Sequence, residues 1–381
     1  MKKIRITIFF VSLFIVISAA TIGFLYARGF RLDKRSLRIQ SNGLLVANSW
    51  PNAAEVYVNG ELKTATNATI SLPPGNYDLE IKKAGFQAWY KRITITKEVV
   101  TKVDAFLFPT AASLSPITFS GAISPQISPD FEKIAYAVPN DGLWIIEIVN
   151  LPIGFNNEPN QITDGGLDSA NWEWSPDSRE ILLQTQTGTF LLDASTFTRQ
   201  NSRINVSSKL KKIHQDWQVK RDRKVMSLIA KLEPEIGSIF ERKTTDIVFS
   251  GDQAKILYTA SGSAFFSENV VKQLPGASTQ AEERQIKDGQ KYIYDIKEDR
   301  NFHVVSAETP VFWLANSLNL MIIQKDKILV SEYDATNKQI IYSGAYEFPF
   351  AYPSNSLDRL VILTNLGSNT SPPNLYFLSL R

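Results

Sequence analysis

Few side chains in this chain are suited by type and spacing to do chemistry. Lys209, Lys211, Lys212, Lys220, Arg221, Arg223 and Lys224 crowd one short stretch together with His214. A run of that kind contacts lipid headgroups, acidic wall polymer or nucleic acid, or else is a solvated helix face. Asp216 and Asp222 dilute it, which makes the solvated face the plainer expectation. Asp164-Gly165-Gly166-Leu167-Asp168 could bracket a calcium ion but lacks the oxygen spacing of an EF-hand loop, so a surface loop is expected. Ser208-Lys209-Leu210-Lys211 matches the Ser-x-x-Lys pattern of a nucleophilic serine, a pattern short enough to arise by chance, and Gly-x-Ser-x-Gly is absent. No catalytic residue is assigned.

Aromatic residues give a second lead. Trp172 and Trp174, Trp144, Trp313 and the pair Trp89-Tyr90 would stack on sugar rings if exposed. Packing between sheets is the expected use, because large aromatics fill such interfaces. Cysteine is absent and there are two histidines, His214 and His303, so disulfides, thiolate catalysis, thiolate metal sites and a His-rich metal site are excluded. No cofactor or metal is therefore expected. A net charge of +3 over 381 residues argues against a nucleic-acid partner.

The elements that would position these residues are mostly strands. One phrase recurs along the last two-thirds of the chain: a turn at Asp130, Asp177, Asp252, Asn316 or Ser356, then a strand. Four residues later stands Ile134, Ile181, Ile256, Leu320 or Leu360, and two beyond that Tyr136, Leu183, Tyr258, Ile322 or Ile362. That step of two marks half-buried strands, and their repetition points to a β-propeller. The five turn residues are expected to bond backbone amides locally rather than to form a metal ring. A second strand follows each phrase, at residues 143–148, 190–193, 292–296, 328–333 and 375–380.

Residues 206–240 alone carry a helical period, with Leu210, Ile213, Trp217, Val225, Leu228, Leu232 and Ile236, and read as an insertion interrupted at Pro234. Five blades are expected, six if residues 272–289 hide strands. Residues 114–119 precede the first phrase, and with five blades they would complete the last blade and close the ring.

Residues 6–27 form an uncharged apolar run, preceded by Lys2, Lys3 and Arg5 and followed by Arg28 and Arg31. At about 1.5 Å per residue the run spans roughly 33 Å, enough for a bilayer core. The rival is a cleaved signal peptide, for which Ser18-Ala19-Ala20 offers small residues, but the apolar run continues past them. Arg28, Arg31, Lys34, Arg35 and Arg38 would place the body in the cytoplasm by the positive-inside rule. An extracytoplasmic body is nevertheless expected, since amino-terminal anchors commonly export the domains attached behind them.

Between helix and repeats, residues 43–108 read as a small antiparallel β-sandwich. Asn59-Gly60 suits a type I′ hairpin, Pro73-Pro74-Gly75-Asn76 a turn, and Tyr77, Leu79 and Ile81 alternate with Asp78, Glu80 and Lys82. Pro51-Asn52-Ala53-Ala54, Val56-Tyr57-Val58-Asn59-Gly60, Leu72-Pro73-Pro74-Gly75-Asn76-Tyr77 and Lys83-Ala84-Gly85-Phe86 resemble the PEGA domain, with two of the four naming residues changed. The Ser128-Pro129-Asp130 and Ser175-Pro176-Asp177 triplets resemble those of TolB-like and WD-type propellers. The whole arrangement is similar to PEGA-containing envelope proteins of small-genome bacteria. That resemblance implies an extracytoplasmic binding or spacer module without catalytic residues, and a body outside the cytoplasm.

The expected layout is a basic tail (1–5), a transmembrane helix (6–27), a juxtamembrane linker (28–42), a PEGA-like sandwich (43–108) and a propeller (109–381) with its insertion (206–240). The expected function is a membrane-anchored, non-enzymatic platform for an envelope protein or glycan, with the bilayer held through residues 6–27. A propeller-based hydrolase or lyase with dispersed residues, and a cytoplasm-facing scaffold, stand as alternatives.

Overall fold

A computed structural model describes residues 2–27, 30–32, 39–149, 158–167, 169–268, 270–271, 278–368 and 370–381. The chain divides into two compact units: Met1–Leu107 with Gln273–Gln280, and Phe108–Lys272 with Ala281–Arg381.

Helix α1, Lys2–Ala27, contains the window Thr7–Phe24 with a mean hydropathy of 2.3, none of it buried within the protein. Phe9, Phe10 and Phe14 stand exposed along it. A helix that is apolar all round and buries nothing against protein is long and greasy enough to span a hydrocarbon core.

The small unit is a two-layer sandwich. One sheet orders Ala68–Leu72, Gly43–Trp50 and Val100–Phe106; the other orders Glu61–Ala65, Glu55–Val58, Gly75–Lys82 and Trp89–Ile95. Leu45, Ala47, Val56, Val58, Leu79, Ile81, Trp89 and Ile95 fill the space between them. Trp89 is therefore core, whereas Tyr90, next along the strand, points out. Asn59 and Gly60 both take positive φ, as a type I′ turn demands, and Val58 pairs with Glu61 across it.

One pairing departs from the antiparallel expectation: Gly43–Trp50 runs parallel to Val100–Phe106, from Leu44 opposite Val100 to Trp50 opposite Phe106. The last strand leaves the second sheet after Ile95 and crosses to the free edge of the first, and a crossover of that kind sets strands parallel.

Five sheets of three or four strands form the blades of the second unit. The first orders Ile123–Ile127, Lys133–Val138, Gly142–Glu147 and Asn160–Asp164. The second orders Asn171–Trp174, Glu180–Thr185 and Gly188–Asp193, with a Phe190 to Asn205 bridge at the fourth-strand position. Thr244–Phe249, Lys255–Ala260, Gln290–Asp295 and Arg300–Ser306 form the third; Val311–Trp313, Asn319–Ile323, Ile328–Glu332 and Gln339–Tyr342 the fourth. The fifth joins Ala351–Pro353, Arg359–Thr364 and Asn374–Ser379 to Leu114–Pro116 from the start of the unit, with Leu114 opposite Leu378 and Pro116 opposite Tyr376. This closes the ring. No sixth blade is present among the described residues: Gln285–Ile286 pairs only with Ala264–Phe265. Residues 278–280 belong to the small unit, where Thr279 Oγ1 and Gln280 Nε2 donate to Arg92 O, and 272–277 lie outside the described residues.

Apolar side chains join the blades face to face. Ala135, Leu143 and Ile145 of the first meet Trp172, Ile181 and Leu183 of the second, and Leu257 and Ile293 of the third meet Leu320 and Ile322 of the fourth. Ile134 and Tyr136 of the first meet Val361 and Leu375 of the fifth.

Each blade turn is a small hydrogen-bonded unit. Ser128 Oγ donates to Asp130 Oδ1 (2.5 Å), Ser175 Oγ to Asp177 Oδ1 (2.7 Å) and Ser250 Oγ to Asp252 Oδ1 (2.6 Å). In each, the serine oxygen accepts the amide five residues on. Asn316 Oδ1 accepts from the amides of Leu318 and Asn319. In the fifth blade Ser354 takes the serine's place and donates to Arg359 O, while Ser356 Oγ donates to Asp358. The residue after the turn residue has positive φ in four blades, at Phe131, Ser178, Gln253 and Ser317.

Two of those αL residues tie blades together. Ser178 Oγ accepts from Asp130 N (3.2 Å) and Ser317 Oγ from Asp252 N (3.1 Å). Beside them, Trp174 Nε1 donates to Gln126 O and Trp313 Nε1 to Val248 O. The first and second blades, and the third and fourth, thus share one pair of hydrogen bonds. Tyr352 OH donates to Pro125 O from the fifth blade to the first.

The insertion comprises a 3-10 turn, Ser207–Lys209, then α2, Leu210–Ile229, and α3, Pro234–Lys243. Proline at the first helical position and Glu235 in the first turn suit the start of α3. Ile229, Ile236 and Phe240 pack on Ile256, Tyr258, Phe266, Tyr292 and Tyr294 of the third blade.

Candidate functional site

A cleft of about 340 Å³ opens where the ring closes. One wall is the loop between the closing strand and the first blade: Ile117, Thr118, Phe119, Ser120 and Gly121. The other comes from the first blade's middle hairpin, Tyr136, Val138, Asp141 and Trp144, with Glu158 and Pro159 beside its outer strand.

The loop is held by a residue from the far end of the chain. Asn374 Oδ1 accepts from Thr118 Oγ1 (3.0 Å) and Gly121 N (3.0 Å), and Leu375 N donates to Thr118 Oγ1 (2.9 Å). Gly121 has φ +86°, and a Cβ there would lie 3.2 Å from Pro372 Cβ. Glycine meets both the backbone and the space requirement. On this frame Phe119 projects with 79% of its surface exposed.

Across the cleft, Trp144 Nε1 donates to Asp141 Oδ2 (3.0 Å), which fixes the indole edge. The Asp141 carbonyl accepts from Gln161 Nε2 and Gly165 N, which fixes the hairpin loop. Neither Asp141 nor Glu158 has an ion-pair partner among the described residues. Tyr136 lies at the floor, where burial pushes its phenol well above the usual value, so it stays protonated.

The middle of the ring is bridged by aromatics. Phe131 of the first blade meets Phe312 of the fourth at 6.2 Å between centroids, and Phe312 meets Tyr352 of the fifth at 6.3 Å. Blades one and four are not neighbours in the ring, so their contact reaches past the fifth blade on the inner side of the ring.

The residues singled out in the sequence are dispersed. Lys209, Lys211, Lys212, Lys220, Arg221, Arg223 and Lys224 are all exposed, but helical spacing distributes them around α2. Lys209, Lys212, Lys220 and Arg223 share a side with Asp216; Lys211 and Arg221 lie elsewhere. Lys220 Nζ reaches Asp177 Oδ2 at 3.8 Å, Arg221 donates to Gln218, and His214 contacts Glu173. Asp130, Asp177, Asp252, Asn316 and Ser356 each bond within their own turn. Asp164 accepts from Gln200 N, while Asp168 lies outside the described residues. Trp172 and Trp174 are 3% and 6% exposed and serve the blade interface, leaving Trp144 as the tryptophan of that group that lines the cleft.

Phe119, Asp141, Glu158 and Asn374 carried no sequence signal. Phe119, Asp141 and Glu158 come from the first blade and the loop before it, and Asn374 from the far end of the chain holds that loop in place. No group of histidine, cysteine or carboxylate side chains suited to a metal occurs among the described residues.

Residues 42–110 match the PEGA domain. No curated protein matches the chain. Among solved structures, the chain is similar to a protein assigned as TolB from Agrobacterium tumefaciens, 13% identical over 67% of this chain and 74% of that one, TM-score 0.23. It is similar also to TolB from Acinetobacter baumannii, 12% identical over 80% of this chain and 60% of that one, TM-score 0.21. A luciferin-regenerating enzyme is 8% identical over 71% and 95%, TM-score 0.24. Scores this low carry no weight, and the ring is read from its strand order. A PEGA module following one apolar amino-terminal helix fits a protein of the cell envelope, with that helix as membrane anchor or signal sequence. The chain carries a PEGA domain at residues 42–110, set in sequence between an apolar amino-terminal helix and a five-bladed β-propeller.

Proposed function

We propose that the protein is a non-enzymatic, membrane-tethered component of the envelope, its body extracytoplasmic, its propeller a rigid platform that binds an envelope protein or glycan, and its PEGA domain a spacer. The observation that carries the reading is the cleft: aromatic and polar side chains line a preformed concavity fixed by closure of the ring. On the inner side of the ring, blades one, four and five meet through the apolar rings of Phe131, Phe312 and Tyr352. Rigid concave sites with a few fixed polar groups suit recognition.

The test uses the full chain in nanodiscs against purified envelope glycans and envelope proteins, with binding read by native mass spectrometry. Retention of a defined species by the parent protein and its loss in Trp144→Ala is expected. Turnover of a chromogenic ester or glycoside that disappears in Asp141→Asn would overturn the non-enzymatic reading. A reporter fused at the carboxyl terminus and active only in the cytoplasm would overturn the orientation.

A further inference from the structure

We infer that the cleft at the ring closure binds an organic cation, an alkylammonium or guanidinium group seated between Phe119 and Trp144 and paired with Asp141 and Glu158. This rests on the binding-platform reading and names the ligand class for it. Among the described residues the cleft is lined by two carboxylates and by no lysine, arginine or histidine. Charge of one sign in a concavity with low-dielectric walls raises the local concentration of the opposite sign and repels anions. Phe119 and Trp144 add ring faces, which attract cations electrostatically.

The hydrogen-bonding inventory points the same way. The Trp144 N–H is engaged by Asp141, and the Thr118 hydroxyl donates to Asn374. Among the described residues no asparagine or glutamine lines the cleft, and Ser120 supplies its remaining side-chain hydroxyl apart from the buried Tyr136 phenol. The side chains of the described lining therefore offer more acceptors than donors. A sugar, whose hydroxyls and ring oxygen need donors as well as acceptors, is poorly matched; an ammonium or guanidinium, which only donates, is well matched. The volume of about 340 Å³ is at the small end of ligand pockets and suits one side chain or a short polyamine.

Two sources carry this chemistry: a free polyamine, and a lysine or arginine side chain of a partner protein. The experiment is calorimetric titration of the full chain in nanodiscs with spermidine, with a lysine-bearing peptide blocked at both ends, and with a neutral chitin oligomer, at two salt concentrations. Spermidine or the peptide should bind and weaken as salt rises. Asp141→Asn and Glu158→Gln should each weaken binding about tenfold, since each removes one charged partner without changing shape. Both cations binding would identify the ammonium group itself as the determinant; the peptide alone binding would assign the source to a protein partner.

Absence of both, or binding unchanged in the Asp141→Asn, Glu158→Gln double variant, would overturn the inference. Chitin oligomer bound in place of the cations and lost in Trp144→Ala would overturn it too, while leaving the platform reading standing. Chemical-shift dispersion of the variants matching the parent protein would show that loss is not unfolding.

Discussion

Asn374 Oδ1 lies 3.0 Å from Thr118 Oγ1, and the two residues are 256 positions apart. The same oxygen holds Gly121 N, so one amide side chain ties the first loop of the propeller to its last strand. Closure and the cleft wall are thus one event. Closure pairs the last strand, Asn374–Ser379, on both sides and leaves only short blade edges, which limits the open edge that invites aggregation.

Asn374→Ala should lower stability by about 1–3 kcal/mol, because Gly121 N and the Thr118 hydroxyl lose their acceptor. Deleting residues 374–381 removes the strand that pairs with both Arg359–Thr364 and Leu114–Pro116. That deletion should yield aggregated protein on size-exclusion chromatography, whereas the point variant should remain monodisperse with a lower unfolding midpoint.

Ser175 is fully buried, and its oxygen accepts from Glu180 N while donating to Asp177. The bond from Ser175, then the Arg179 amide and the Lys220 charge, hold the Asp177 carboxyl below its usual value. A lowered folded value stabilises above the unfolded pKa of about 3.9 and is lost as pH falls through the folded one. Ser175→Ala should therefore raise the Asp177 pKa in NMR titration and cost about 1–3 kcal/mol at neutral pH, a deficit that narrows below about pH 4.

Phe240 sits at the centre of an aromatic cluster, 5.0 Å from Tyr258 and 5.8 Å from Phe266. Phe240→Ala should cost about 3–5 kcal/mol by denaturant unfolding, since it leaves a cavity between α3 and the third blade. A cost below about 1 kcal/mol would show that the insertion contributes little to that blade.

Ile15→Arg, at the middle of the apolar window, should shift the protein from membrane to soluble fraction. A central arginine costs about 2.5–3.5 kcal/mol on insertion scales. Unchanged membrane retention would show that another contact tethers the chain.

Strand periodicity made the blades legible. The steps from Ile134 to Tyr136 and from Ile256 to Tyr258 mark one face of each strand, and alternation records that locally. The strands expected to be half-buried are buried on both faces, because Ala135 and Leu257 pack on the other neighbouring blade. Asn59-Gly60, Pro234 and the Ser-x-Asp triplets are equally local: their backbone geometry follows from residue type. Closure by the segment 114–119 was legible because the last blade ran out of residues, and the strand that forms there is Leu114–Pro116.

The parallel placement of Val100–Phe106 was hidden, because pairing direction depends on the path between sheets and leaves no mark on a strand's own pattern. Of the basic run, Lys212, Lys220 and Arg223 share a side of α2 with Asp216, while Lys211 and Arg221 turn elsewhere, as helical spacing requires.

By itself the sequence determined the apolar helix, the PEGA module and a repeating ring of sheets, because these follow from hydropathy, turn chemistry and period. Only the tertiary structure decided that Phe119, Asp141, Trp144 and Glu158 share a cleft: pairing within the first blade sets the last three together, and Asn374 from the far end of the chain holds the loop that carries Phe119. Short-range rules set each element; the meeting of distant ones is fixed by packing and hydrogen bonds that exist only in the closed ring.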